Sequence, residues 1–145
     1  MSEFFYDPDG NWKPPVAPDF TNNFYYPIKF KGSGRVTLRL TVDAAWEQAV
    51  TILLNEVRQK EQLGSYHRPK SLSFDVAEGD MIRLVGWHKK GTAHDPSVPW
   101  SPSLRRDFCP TWKGNKLQFS WEDSGDMDFN DCVVIMDVPV PWDLA

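Results

Sequence analysis

Alternating apolar and polar residues recur in short stretches along the chain and predict β-strands. Such alternation places one set of side chains in a core and the other set in solvent. The stretches are Tyr26–Phe30, Arg35–Val42, Ala49–Leu54, Leu72–Val76, Met81–Trp87, Leu117–Trp121 and an apolar run at Cys132–Met136. Strands this short and this numerous, separated by turn residues, predict an all-β fold: an antiparallel β-sandwich of the Greek-key or jelly-roll type.

Three segments lack this alternation. Residues 1–23 hold four prolines, one glycine and isolated aromatic residues, which predicts an extended N-terminal arm packed on a single domain of residues 24–145. Residues 88–115 are rich in proline and predict a long loop, which in a compact domain is usually functional or disordered. Residues 55–60 fit either a short helical turn or the exit from a strand.

Length and charge narrow the classes of function. A chain of 145 residues with seven Trp, nine Phe and four Tyr can bury the core of one domain. The net charge of -4, without a basic stripe, gives no reason to expect a nucleic-acid partner. No apolar stretch approaches the length of a membrane span. The first residues lack the features of a secretory signal, which predicts synthesis in the cytoplasm, with release or cell-surface association left open.

The two cysteines, Cys109 and Cys132, are too few for a disulfide framework. Cys132 begins an apolar run, where a thiol behaves as a small hydrophobic group. We expect two reduced thiols. A single bridge between them stays open for an oxidising compartment.

The strongest chemical signal is an acidic segment, Glu122–Asp131, which holds five carboxylates and an amide without a basic residue. Clustered carboxylates repel one another and become favourable once a hard cation lies between them. In an extended chain Asp126, Asp128 and Asn130 project to one side, and the intervening Met and Phe project to the other. The segment therefore predicts a calcium site attached to a strand.

Two further structures compete for the same acidic residues. A solvated acidic hairpin needs no ion. An EF-hand would need Gly at the sixth loop position and Glu at the twelfth, followed by a helix. Those positions hold Asp131 and Asp137, and a β-type apolar run follows, so the EF-hand is excluded.

The acidic segment resembles that of the calcium-dependent fucose- and mannose-binding lectins of bacteria, the fucose-binding lectin II type. The shared pattern is a Glu, three residues, Asp, one residue, Asp, one residue and Asn-Asp before a Val-rich strand. The matching residues are Glu122, Asp126, Asp128, Asn130 and Asp131. The family also has a ligand-bearing Asn upstream, before a strand of Val-Leu-Val-Asn type. A comparison without gaps from Asn55 places Asp43 at that position.

The resemblance implies two calcium ions side by side, with sugar hydroxyls completing their coordination shells. The implied metal ligands are Glu122, Asp126, Asp128, Asn130, Asp131 and Asp43. Ala44, Ala45, Trp46 and Asp123 would contact the sugar, a mannose- or fucose-like glycan. The family often has small polar residues where this chain has Ala44, Ala45 and Trp46, so hydrogen bonds to the sugar are lost and the sugar specificity stays open. In the family a neighbouring subunit's C-terminal carboxylate also reaches the calcium site, and a homodimer or higher oligomer is compatible with this sequence.

The expected function is therefore that of a calcium-dependent lectin. The alternative is a calcium-stabilised β-sandwich that serves as an interaction or surface domain and binds no sugar. No enzyme is expected, because five acids on one segment fit chelation better than the separated carboxylate pair of a glycosidase. The sequence also lacks a nucleophile elbow and the His-Glu-x-x-His metal motif.

Overall fold

The computed structural model describes residues 5–13, 24–90, 95–106, 110–122 and 131–145. In these ranges the chain forms thirteen strands and no α-helix. The strands are β1 (Ile28–Phe30), β2 (Gly34–Val42), β3 (Glu47–Leu54), β4 (Val57–Arg58), β5 (Leu63–Gly64), β6 (Ser71–Val76), β7 (Met81–Lys89), β8 (Ser101–Pro102), β9 (Leu104–Arg105), β10 (Thr111–Lys113), β11 (Lys116–Glu122), β12 (Cys132–Asp137) and β13 (Trp142–Leu144).

The strands build two antiparallel sheets. The first has the order β13-β1-β7-β3-β4, with β5 paired to β3 and β8 paired to β7. The second has the order β10-β11-β12-β2-β6, with β9 paired to β11. Side chains from strands of both sheets form one large apolar cluster. The predicted antiparallel β-sandwich is confirmed.

All seven predicted strands are present, and most are longer than predicted by one or two residues. Residues 55–60 form a strand exit, because Asn55 and Glu56, with φ of 53° and 65°, make a tight turn into β4. The predicted loop 88–115 differs from the structure: it contains β8, β9 and β10, strands of only two or three residues. Pairing with β7 and β11 forms these strands, because so few residues carry no periodicity of their own.

Tyr25 fixes the position of β11 within the sandwich. Its hydroxyl donates to the Ser120 carbonyl and accepts the Ser120 N–H, both at 3.0 Å. Its ring meets Phe119 and Trp121 edge to face, with centroids 5.1 and 5.3 Å away. A buried hydroxyl that both donates and accepts a hydrogen bond avoids a desolvation cost of about 1–3 kcal/mol. The strand that leads into the acidic segment is therefore held firmly against the first sheet.

Gly86 on β7 of the first sheet allows a close approach of Trp121 from β11 of the second sheet. A Cβ at this position would lie 2.5 Å from ring atoms of Trp121, whose side chain is fully buried. The indole cannot move aside in a packed core. A side chain at position 86 would therefore push the sheets apart.

The Gly86→Ala substitution is expected to lower the free energy of unfolding by about 1–3 kcal/mol, the usual cost of overpacking. Equilibrium urea unfolding measures this change. Gly32→Ala is the matched control, because its Cβ would meet Pro141 at an ordinary 3.5 Å and should change stability by less than about 0.5 kcal/mol. Unfolding of the Gly86 variant at the wild-type urea concentration would contradict the close approach.

Residues 5–13, which belong to the predicted N-terminal arm of residues 1–23, form a closed loop. Asp7, almost fully buried, accepts the N–H groups of Asp9 and Asn11 on Oδ1 at 2.9 Å each. The Asp7 N–H in turn donates to the Asn11 carbonyl at 2.9 Å. An Asp that binds the backbone two residues ahead closes the chain on itself.

Asp9 anchors this loop to the first sheet through a charged cluster. It accepts hydrogen bonds from Arg68 at 2.6 Å and from Trp100 Nε1 at 2.8 Å, and Lys89 Nζ lies 3.9 Å away. Partial burial alone would raise the pKa of Asp9. The Trp100 hydrogen bond and the cations of Arg68 and Lys89 outweigh burial and hold this pKa below its usual range.

The lowered pKa gives the loop contact a definite pH dependence. A carboxyl whose pKa is lower in the folded state stabilises the fold above its unfolded pKa of about 3.9, and this contribution is lost as the pH falls through the folded value. We expect Asp9→Asn to destabilise the protein at neutral pH, with the difference from wild type shrinking below about pH 4. Urea unfolding at a series of pH values measures it.

Asp75→Asn is the control for this experiment. Asp75 is paired with Arg35 at 3.1 Å, but its side chain is 84% exposed, so its loss should change little at any pH. A constant difference between wild type and the Asp9 variant down to the acid limit would contradict the ionised anchor.

Candidate metal centre

Three strand ends of the second sheet meet where the acidic segment begins and ends. The first residue of β12, Cys132, pairs with Val42, the last residue of β2, on one side and with Trp121, near the end of β11, on the other. The acidic segment joins β11 to β12 at this end. We call this end of the second sheet, where Val42, Glu122 and Cys132 lie, the acidic end.

The structure brings Asp43 to the acidic end. Asp43 follows β2 directly, and its N–H donates to the carbonyl oxygen of Asp131 at 3.1 Å. These two residues are far apart in the chain. The resemblance to the lectin family predicts that they belong to one site. In the fold their backbones continue the register that Val42 and Cys132 begin.

Two carboxylates at the acidic end are buried. Glu122 is 2% exposed and Asp131 is 7% exposed, whereas Asp43 faces solvent. Burial of a carboxylate is costly unless hydrogen-bond donors or a cation compensate it. The two buried groups also sit at strand ends, which fixes their backbones more firmly than a loop would.

The donor set fits calcium in its chemistry. The carboxylates of Asp43, Glu122 and Asp131 offer hard oxygen atoms. Such atoms suit calcium or magnesium better than zinc, whose structural sites use sulfur and nitrogen. Among the described residues, however, no group of three His, Cys, Asp or Glu side chains lies close enough to hold a metal ion. Asp43, Glu122 and Asp131 would therefore need ligands from the segment between β11 and β12.

Residues 123–130 of that segment lie outside the described residues. They include four predicted site residues: Asp123, Asp126, Asp128 and Asn130. Cys109 also lies outside the described residues, so the predicted pairing state of the two cysteines is untested. The full set of metal ligands stays a prediction.

The predicted sugar contacts Ala44, Ala45 and Trp46 form the connection from Asp43 to β3. Trp46 is half-buried and stacks on His88, with centroids 5.7 Å apart and planes at 19°. The Lys90 ammonium lies 5.9 Å from the same indole centroid. One face of Trp46 is therefore covered by the protein, and a cation lies close to the ring.

Sequence reasoning missed both neighbours of Trp46. His88 ends up there because β7 pairs with β3, which opposes His88 to Gln48. A hydrogen bond of 2.9 Å between His88 Nδ1 and Ser103 Oγ holds the imidazole. No motif in the sequence predicts the contacts of Trp46 with His88 and Lys90, since both depend on the pairing of distant strands.

The last residues of the chain lie away from the acidic end. β12 runs from Cys132 at the acidic end to Asp137 at the opposite end, and β13 then pairs with β1 of the first sheet. The Ala145 N–H donates to the Pro27 carbonyl at 2.9 Å. The chain's own terminal strand is thus part of its sandwich.

Among the comparisons with known proteins, the match to solved structures bears on the fold. No protein-family model matches the chain, and no curated protein matches it in sequence. Among solved structures, the lectin CV2L of Chromobacterium violaceum in complex with α-methyl-fucoside is similar, with a TM-score of 0.53 and 14% identity over 81% of this chain and 98% of that lectin. The high-affinity mannose-binding lectin of Ralstonia solanacearum is similar with a TM-score of 0.53 and 17% identity over 79% of this chain and 96% of that lectin.

At this level of identity the likeness establishes the fold alone. The likeness extends over nearly the whole length of both lectins. In the described part of this chain no helix is long and apolar enough to cross a membrane.

Proposed function

We propose that this protein binds carbohydrate through calcium ions held at the acidic end of the second sheet. The observation that carries the proposal is the backbone contact between Asp43 and Asp131. A family motif in two distant parts of the chain assigns both residues to one site. Their adjacency in the fold is the spatial condition that such a shared site requires.

Each described residue has a distinct part in this proposal. Glu122 and Asp131, buried at the ends of β11 and β12, would bind the ions from the protein side. Asp43, exposed beyond β2, would bind on the side that faces solvent. Asp126, Asp128 and Asn130 would complete the ligand set. When bound, calcium supplies coordination positions that sugar hydroxyls can fill in place of water.

The ligand class is supported by the two solved structures. One contains a fucoside and the other is named as a mannose-binding lectin, and both share this sandwich. We therefore propose mannose- or fucose-like glycans as ligands. Ala44 and Ala45 have no side-chain hydroxyls, so recognition would depend on the ions, on backbone groups and on Asp123.

Calorimetric titration of calcium into chelator-stripped protein tests this function. We expect calcium to bind more tightly when methyl α-mannoside or methyl α-fucoside is present, because each ligand raises the affinity for the other. Calcium binding that is unaffected by either sugar would favour the alternative, an interaction domain that the ion only stabilises. Absence of calcium binding would leave the acidic segment as a solvated hairpin.

Asp131→Ala and Asp43→Ala locate the site, because alanine leaves no side-chain oxygen to bind calcium. Loss of an outer-shell partner alone typically costs about 10–100-fold in metal affinity, so loss of a direct ligand should cost more than about tenfold. Calorimetry measures the affinity, and the calcium-induced rise in melting temperature gives a second readout. Asp43 is exposed, so its variant should fold even if the buried Asp131 variant does not.

Asp75→Ala is the matched control, because Asp75 lies on β6 and its side chain is 84% exposed. Calcium affinity should match wild type in this variant. Unchanged calcium affinity in both site variants would contradict the assignment of the site to the acidic end.

A further inference from the structure

An open groove lies at the end of the sandwich opposite the acidic end. Its volume is about 630 Å³, within the range of small-molecule sites, and it runs between the β10–β11 hairpin and the segment that follows β12. The groove is lined by Trp112, Asn115, Pro139, Val140, Trp142 and Asp143, among others. We call it the aromatic groove.

The aromatic groove is separate from the candidate calcium site. The hairpin turn at Gly114 and Asn115 precedes Lys116, which pairs with Asp137 at the far end of β12. The acidic segment joins the other ends of the same two strands. Since β11 has seven residues, the two sites are roughly 20 Å apart.

Trp112 is held in place although it is exposed. It is 64% exposed, more than any other large hydrophobic residue in the described part of the chain. The indole Nε1 donates to the Gly114 carbonyl at 2.8 Å, which fixes the orientation of the ring. Trp142 meets it edge to face at 5.9 Å and 83° and packs against the main core. The two indoles thus form a rigid, preformed corner.

The chemistry of the groove favours a sugar. The Trp112 N–H is already used, so this ring offers a ligand mainly its apolar faces. The C–H face of a pyranose stacks on such a surface, while its hydroxyls donate to acceptors at the rim. The Asp143 carboxylate is exposed and accepts hydrogen bonds, and the Asn115 amide is exposed and can both donate and accept.

A proline-rich peptide fits these groups less well. Such peptides do dock in aromatic-lined grooves. Their backbone carbonyls are acceptors, however, and would meet the acceptor oxygens of Asp143 and the Trp112 N–H that is already engaged. Of the side chains of Trp112, Asn115 and Asp143, only the Asn115 amide could then donate to them. Complementarity of donors and acceptors therefore separates the two occupants.

We propose that the aromatic groove is a second carbohydrate site, which takes uncharged pyranose units of an oligosaccharide without calcium. Trp112 is the stacking platform, Trp142 is the side wall, and Asp143 and Asn115 bind hydroxyls. The protein would then carry sugar sites at both ends of one sandwich. This site does not depend on the calcium site, and either can exist without the other.

The test uses the full chain in excess chelator, which removes the contribution of the calcium site. The probes are β-1,4-linked hexasaccharides of glucose, mannose and xylose. Shifts of the assigned indole N–H resonances of Trp112 and Trp142 report binding. We expect at least one hexasaccharide to shift both resonances, and Trp112→Ala to weaken its binding at least tenfold.

Two further variants sharpen the result. Trp112→Phe keeps a ring face and should retain part of the affinity. Trp12→Ala removes another exposed indole, 39% exposed on the N-terminal loop, and should bind as wild type does. Both substituted positions are exposed to solvent at the surface, so the variants should fold.

Three results would overturn the proposal. One is the absence of any shift at Trp112 with all three hexasaccharides. Another is binding in chelator that Trp112→Ala leaves unchanged. The third is self-association that depends on Trp112 in sedimentation experiments, which would make the groove a contact between copies of this chain.

Discussion

The pairing of β12 with β2 on one side and β11 on the other is the constraint on which the rest of the structure depends. The register places Cys132 between Val42 and Trp121. A shift of one residue would turn every side chain of β12 to the opposite face, and its strict alternation of buried and half-buried residues opposes such a slip. This register also brings Asp43, Asp131 and Glu122 to one end of the sheet.

The first sheet holds that register from the other side of the core. Trp121 packs against the bare backbone of Gly86, and Tyr25 binds both backbone groups of Ser120. The two contacts fix β11 at its last residues, directly before the acidic segment. A site built on such strand ends keeps its geometry better than one built wholly on loops.

Much of this fold follows from local patterns in the sequence. The long strands were predictable because alternation over five or more residues, as in Arg35–Val42, is typical of a strand with one face buried. β5, β8 and β13 were not, because two or three residues show no period and acquire their conformation from a partner strand. The contacts of Asp9 were not predictable either, since Arg68, Lys89 and Trp100 come close to it only after folding.

In the candidate site too, some features are suggested by the sequence and others arise only from the pairing of distant strands. The carboxylates of Glu122–Asp131 lead to the prediction of a calcium site, because clustered carboxylates beside an apolar run have a recognisable chemistry, and that ligand set stays a prediction. The position of Asp43 needed a family pattern, and the fold places it beside Asp131. The neighbours of Trp46 were beyond prediction, because His88 and Lys90 reach it through the pairing of β3 and β7. The aromatic groove likewise depends on where the chain after β12 returns to the first sheet.

The most direct test of the central claim is anomalous diffraction from crystals grown with calcium and methyl α-mannoside. The account predicts metal peaks at the acidic end, about 2.3–2.6 Å from carboxylate oxygens of Asp43, Glu122 and Asp131, with sugar hydroxyls coordinated to the same ions. Metal peaks elsewhere, or a sugar bound at this end without a metal, would contradict it.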